Sequence, residues 1–346
     1  MRLPQQRRQI IYFFILNNVE KIVFFHIIFI TMTHKNLTYI SNGGIVLGIS
    51  AEIGGTALFL SKNNSENILH SNPALWNPAE RPTPEITGDF IPYNGHTVWL
   101  GPQSGWWKQQ SANAERKQEQ AVWPPDPFIT YGTYTILHKT EHSISILSPE
   151  SPVWGVQIQK DYAINPDGSI FLSVTLIATT QTVSWDIWFN TRVHGFHTAY
   201  VCAAPEDIRT EHVISEQSTE MPSHYTQGFF HYTACPPPPS HTERSSKTYI
   251  YPKTPHIYAF SSEHVLHITF EKHQKAEIHA EHALVELYNH TEQNPAQSLL
   301  ELEYHSPYKT IHPGERIEAW QVWNIHDYSG AQNSEEHIHF INSQLL

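Results

Sequence analysis

The chain has little cysteine: Cys202 and Cys235 are the only two in 346 residues. Two cysteines exclude a disulfide framework, and without a CxxC there is neither a zinc knuckle nor a dithiol redox motif. Positive charge is also short. Lys and Arg number 21 against 33 Asp and Glu, a net charge of −12, whereas a nucleic-acid partner needs a basic face. Gly (16) and Pro (24) are too few and too scattered for a fibrous or low-complexity chain. GxSxG, GxGxxG and GxxxxGK[ST] are all absent, which removes the best-marked hydrolase and nucleotide-binding classes. No repeat of fixed period runs through the chain.

What is there is apolar and aromatic mass. Hydrophobic residues make up 40% and aromatics 12%, with 10 Trp, enough for a packed core. The first thirty residues stand apart. Arg2, Arg7 and Arg8 precede the mostly apolar run Ile10 to Ile30. Its Glu20 and Lys21 cost about 5–7 kcal/mol near a membrane centre, while its apolar residues return roughly 5–10, so insertion is marginal. No small-residue cleavage site follows. Three readings stand: an extension before a start at Met32, which implies a cytoplasmic protein, a membrane anchor, which implies an attached or exported one, or an ordered element. The expected organisation is an apolar extension over 1–31, one β-sandwich domain over 32–330 and a short helix or tail over 331–346.

The body reads as strand after strand. Short β-rich runs are expected at Ile45–Ile49, Ala57–Leu60, Thr133–Leu137 and Ile144–Leu147. In Val153–Tyr162, Val156, Ile158 and Lys160 alternate against Gln157, Gln159 and Asp161. The turn Asn165-Pro-Asp-Gly168 then joins it to Ser169–Ala178 as a hairpin. Val183–Asn190, Val265–Phe270, Ala276–Glu281, Leu284–Tyr288, Leu299–Tyr304 and Arg316–Trp323 follow, and only Asn333–Leu345 has helical spacing. Antiparallel strands without crossover helices mean a sandwich or a barrel. Residues 76–127 and 205–247 break the rhythm and read as irregular excursions, the second around the proline run after Cys235. Binding residues commonly sit on such segments.

Three constellations carry chemistry. Trp99, Trp106, Trp107 and Trp123, interleaved with Gly and Pro, form either a platform for the C–H faces of sugars or a local aromatic core holding a loop together; His96, Gln103 and Asp126 flank them as hydroxyl partners. On the strand from Val183, Trp185, Ile187 and Phe189 share one face, while Asp186, Trp188 and Asn190 share the other and lead to Arg192, which suits a carboxylate or phosphate or an internal ion pair. Glu301 and Glu303 project to one side of their strand, opposite Leu300, Leu302 and Tyr304, as a candidate acid–base pair or a solvated face; Glu286 is a similar candidate. Histidines are abundant, 24 in all. The pairs His264/His267, His279/His282 and His337/His339 complete no metal motif, so neither metal nor cofactor is expected.

Several segments, taken in order, resemble the galactose-mutarotase-like (aldose 1-epimerase-like) superfamily. Ser50 to Leu60 (SAEIGGTALFL) and Glu66 to Leu69 are similar to its opening. Gly95 to Gln103 (GHTVWLGPQ) resembles the tryptophan and Gly-Pro-Gln segment of an uncharacterised mutarotase-like domain family. Val285–Tyr288, Leu300–Glu303, Ser306-Pro307, His312–Glu315 and Glu318–Trp320 resemble its closing strands. The resemblance implies an all-β antiparallel β-supersandwich with a sugar-sized cleft and a carbohydrate ligand; a monomer is expected. It implies a late-strand Glu as base, a role open to Glu301, Glu303 or Glu286, and a central His as acid. The chain departs from the pattern in two places: Thr56 stands where Arg is usual, and the central His-Tyr-Phe-Asn-Leu segment is missing, leaving His194 or His197 for the acid. The alternative is a non-catalytic sugar-binding or structural β-sandwich protein.

Overall fold

The computed structural model of the chain describes residues 36–212 and 215–346. The apolar extension over 1–31 lies outside them. Among the described residues, no helix is long and apolar enough to cross a membrane.

The chain runs through β1 (Thr38–Asn42), β2 (Ile45–Ser50) and β3 (Thr56–Lys62), then crosses a long loop to β4 (His96–Gly101). Hairpins follow: β5 (Thr135–Lys139), β6 (Ser143–Leu147), β7 (Val156–Ile164), β8 (Ile170–Ala178) and β9 (Val183–His194). After β10 (Thr198–His212) come three short strands, β11 (Ser218–Thr219), β12 (Ser223–Thr226) and β13 (Phe229–Tyr232). Next are β14 (Glu243–Pro252), β15 (His256–Phe260), β16 (His264–Phe270), β17 (Val285–Glu292), β18 (Leu299–His305), β19 (Lys309–Ile311) and β20 (Arg316–Asp327).

Strand pairing builds two layers. One is β1-β2-β3-β4-β9-β18-β17-β14, closed by the second half of β10. The other is β5-β6-β7-β8-β20-β16-β15, the first half of β10, then β13 and β12. The long β10 thus passes from one layer to the other. Inward side chains meet between the layers: Phe270 of β16 stacks on Tyr304 of β18 at 4.7 Å, and His96 of β4 packs edge-on against Trp323 of β20 at 4.8 Å. The β7–β8 hairpin follows its sequence pattern, with alternate residues buried along both strands and Gly168 at φ +85° closing the turn.

Three expectations are corrected. The stretch 76–127 contains a true strand, β4, and 205–247 contains the end of β10, the strands β11, β12 and β13, and the start of β14. The second half of β10 and β12 are largely exposed and carry polar side chains, so composition alone hides them. The strand expected at Ala276–Glu281 is a 3-10 turn at Lys275–Glu277, stabilised where Gln274 N donates to Glu277 Oε2 at 2.9 Å.

Lys160 occupies an inward position of β7 between apolar neighbours. It is 1% exposed, and its Nζ donates to the carbonyls of Gly54 (2.7 Å) and Gly55 (3.3 Å). Burial lowers its pKa to about 7. The unfolded chain keeps this proton to about pH 10, so above pH 7 the unfolded state holds more protons and stability rises with pH. Other buried groups titrate in this window, so the readout is a difference. Measured by urea unfolding, wild type should gain on Lys160→Met by up to about 1.4 kcal/mol per pH unit from pH 7 to 9.5. Parallel profiles would contradict the assignment.

Candidate functional site

Four neighbouring strands bring their outward residues into rows. Arg192 of β9 stands beside Glu301 of β18, which stands beside Tyr288 of β17 and then Lys247 of β14. One row along, Asn190 faces Glu303, Glu303 faces Glu286, and Glu286 faces Tyr249. In the next row Trp188 faces His305 on one side and Trp99 of β4 on the other.

Above the first row lies a cavity of about 950 Å³. Trp99, Trp123, Trp188, Phe90 and Tyr288 supply its aromatic surface, and Arg192, Glu301, Lys247, Gln103, His70, His194 and His290 its polar groups. Trp123 is 42% exposed and packs edge-on against Phe90 at 5.0 Å. The Arg192 guanidinium lies over the Trp99 ring at 5.0 Å, and its Nε donates to Glu301 Oε1 at 2.7 Å while Nη1 donates to Thr97 Oγ1 at 3.0 Å. Burial would raise the Glu301 carboxyl, but Arg192 and then Lys247 outweigh it and hold the group below the usual carboxylate range. Burial and the nearby His194 and Arg192 lower His70 to about 4, so it is neutral.

Beneath the floor is a buried charge network. Lys247 Nζ lies 2.6 Å from Glu286 Oε2 and donates to Glu303 Oε2 at 3.1 Å, and the Trp188 indole N–H donates to the same Glu303 oxygen at 2.8 Å. His282 Nδ1 is 2.9 Å from Glu286 Oε1, and His305 Nδ1 is 3.0 Å from Asp186 Oδ1. Burial opposes ionisation throughout, and the neighbours decide the outcome. Glu286 and Glu303 keep Lys247 above its ordinary value, while Lys247 and then His305 keep Glu286 well below its own. Glu303 is different: burial, with the Glu301 and Glu286 charges adding to it, raises it to about 8 against the pull of Lys247. His305 is raised to about 9 by Glu286 and Asp186, which outweigh burial.

The structure therefore brings together Trp99, Gln103, Trp123, Arg192, His194 and Glu301 around one cavity. Glu286, Glu303 and Asn190 lie on the same side of the sheet but are fully buried below it. Four expected ligand contacts are corrected. His96 points between the layers, its Nδ1 bonded to Thr191 Oγ1 at 2.8 Å, because alternation along β4 puts His96, Val98 and Leu100 inward and Thr97 and Trp99 outward. Trp106 and Trp107 are fully buried, their indole N–H groups donating to Leu100 O (2.6 Å) and Pro124 O (2.7 Å); they form the core of the loop. Asp126 is buried too, accepting from Ser151 Oγ and capping the short helix α1 (Pro127–Thr130) through Phe128 N at 2.8 Å.

Lys247, Tyr288, His70 and His290 were missed. Lys247 had a signal: Ser245, Lys247 and Tyr249 alternate with Ser246, Thr248 and Ile250, but it sits at the edge of a stretch read as irregular.

No curated protein matches the chain in sequence. Among solved structures, an aldose 1-epimerase candidate from Escherichia coli K12 is similar at 10% identity and a TM-score of 0.50, over 84% of this chain and 99% of that one. A TPR-domain-containing protein from Parabacteroides distasonis is similar at 12% identity and a TM-score of 0.52, over 86% of this chain; the chain spans 48% of its length. At such identities the likeness is one of fold, and the fold is the mutarotase-like β-supersandwich that the resemblance implies. A family model matches residues 36–326, and the chain belongs to that family, described as a domain of unknown function, DUF4380.

Proposed function

We propose that the cavity above β9, β18, β17 and β14 binds carbohydrate. The observation that carries this reading is that Trp99 and Trp123 line one cavity with the Arg192–Glu301 pair. Sugar rings offer apolar C–H faces to indoles, and their hydroxyls suit an ionised carboxylate and a guanidinium fixed beside it. A cavity of about 950 Å³ lies within the usual range for small ligands, about 300–1,000 Å³. The fold shared with an aldose 1-epimerase candidate supports the same ligand class.

Catalysis of anomer exchange is the second reading. It is favoured by Glu301 and His194 lining the same cavity, where a base and an acid can both reach one sugar. Glu303, with its raised pKa, lies behind Lys247 and Trp188.

One titration series tests both. Hexoses, uronic acids and hexose 6-phosphates are added while tryptophan fluorescence and NMR exchange between anomers are followed. Saturable quenching is expected, weakened by about 1–3 kcal/mol in Trp123→Ala. Glu301→Gln should weaken binding, and should also slow exchange by about 10²–10⁴ if the residue is a base. No saturable binding by any of these sugars, or unchanged affinity in both variants, would refute the carbohydrate reading. Binding without exchange would refute the catalytic one.

A further inference from the structure

Asp186, His282 and His305 come from three separated segments: the start of β9, the turn before β17 and the end of β18. They meet at one end of the charged network, with ligand atoms all within 4.8 Å of one another. Asp186 and His305 are fully buried, and His282 is 7% exposed.

Glu286 Oε1 accepts from the Ala283 N–H at 3.1 Å and lies 2.9 Å from His282 Nδ1. A carboxylate only accepts, so Nδ1 carries the hydrogen. In the neutral imidazole Nε2 is then a bare lone pair. Among the described residues nothing bonds to that Nε2, nor to Asp186 Oδ2. Two buried acceptors lacking a donor each forfeit their hydration. Both converge on Gly101: a Cβ placed there would lie 2.6 Å from each Asp186 carboxylate oxygen and 2.8 Å from His282 Nε2. No side chain fits at Gly101 against these atoms. Bonds from zinc to N or O are about 2.0–2.2 Å, and the His282 and His305 rings are stacked at 4.0 Å, so one imidazole must turn about its side-chain torsions for both lone pairs to meet an ion held by Asp186. His305 Nδ1, 3.0 Å from Asp186 Oδ1, completes the set. Glu286 backs both rings, its Oε1 also lying 3.5 Å from His305 Nε2. A carboxylate behind a histidine is how metal-binding imidazoles are oriented and their tautomers fixed.

We propose that Asp186, His282 and His305 bind one divalent transition-metal ion, with Glu286 orienting the two imidazoles. Two imidazole nitrogens and one carboxylate suit zinc and cobalt, whereas magnesium and calcium prefer oxygen alone. The ion replaces the hydrogen between His305 Nδ1 and Asp186 Oδ1, which leaves to solvent as a proton. The Trp188 ring lies 5.3 Å from the His282 ring and 5.0 Å from the His305 ring and also lines the cavity. The ion would therefore brace the cavity wall from behind. The site does not depend on the carbohydrate reading.

The full chain is stripped with a chelator and titrated with Co²⁺, then Zn²⁺. One equivalent should bind, with visible cobalt absorption that zinc removes and a higher melting temperature than the stripped protein. Gly101→Ala keeps every donor but presses a methyl against the Asp186 carboxylate and His282 Nε2, so it should weaken cobalt binding at least about tenfold, the size of effect seen when the shell around a metal is disturbed. His282→Ala should abolish it, and His279→Ala, a partly exposed neighbour, should retain it. Far-UV circular dichroism identifies variants that fold. Wild-type protein that takes up no stoichiometric cobalt or zinc overturns the proposal without any variant. So does undiminished binding in folded His282→Ala or Gly101→Ala, which would place the ion on surface histidines.

Discussion

Lys247→Met is expected to destabilise the protein by about 3–5 kcal/mol, the usual cost of removing one partner from a buried ion network. The Lys247 ammonium is shared by Glu286 and Glu303, both with no exposed surface. It also lies over the Trp188 ring at 4.9 Å. Without it, Glu303, already raised to about 8, loses the cation that opposes the rise, and Glu286 keeps only its histidine partners, so a buried carboxyl is held protonated or draws in water. The pairing can be isolated by a cycle. Glu303→Gln retains an acceptor for the Trp188 indole N–H and cannot ionise, so at about pH 9, above the raised Glu303 pKa of about 8, Lys247→Met/Glu303→Gln should be more stable than Lys247→Met alone, with a coupling of about 1–3 kcal/mol. Urea unfolding measures both. A loss below about 1 kcal/mol for Lys247→Met would mean that water already solvates the network and that Lys247 belongs to the cavity alone.

The two-faced character of this region was legible in the strands themselves. The alternation of Trp185, Ile187 and Phe189 against Asp186, Trp188 and Asn190, and of Glu301 and Glu303 against Leu300, Leu302 and Tyr304, predicts which side chains enter the sheet interior and which leave it. The structure keeps that division. Depth was not legible. Glu301 and Glu303 are two residues apart on one strand, yet Glu301 lines the cavity while Glu303 has no exposed surface. What separates them is long-range: Trp188 and Lys247, from two other strands, lie over Glu303. His96 shows the opposite limit. Its segment is interrupted by Gly and Pro and reads as a loop, so the strand parity that turns its ring inward does not show in the sequence. The Asp186, His282 and His305 cluster is invisible for a third reason. Its members are separated by 96 and 23 positions in the chain, and only the pairing of β9 with β18 and of β18 with β17 brings them together.

Truncating two tryptophans of the same loop should separate stability from affinity. Trp106→Ala is expected to cost about 3–5 kcal/mol, as for other buried aromatic deletions. Its ring is fully buried and lies 5.8 Å from Trp99, 6.1 Å from Trp188 and 6.1 Å from Trp154. Its indole N–H donates to Leu100 O, and its carbonyl accepts from the Trp154 indole at 3.0 Å. The substitution therefore opens a cavity at the centre of the aromatic cluster and takes the indole donor from the Leu100 carbonyl. Trp123 touches the same cluster, 6.0 Å from Trp106, but is 42% exposed, so Trp123→Ala removes cavity wall with little core. Its stability loss should be about 1 kcal/mol or less, while its sugar affinity falls as set out above. Thermal and urea unfolding of the two variants, compared with their sugar titrations, decide the matter. If Trp123→Ala proves the more destabilising, the Trp123 ring is the one that holds the loop, and the open wall assigned to it in the binding cavity would have to be given up.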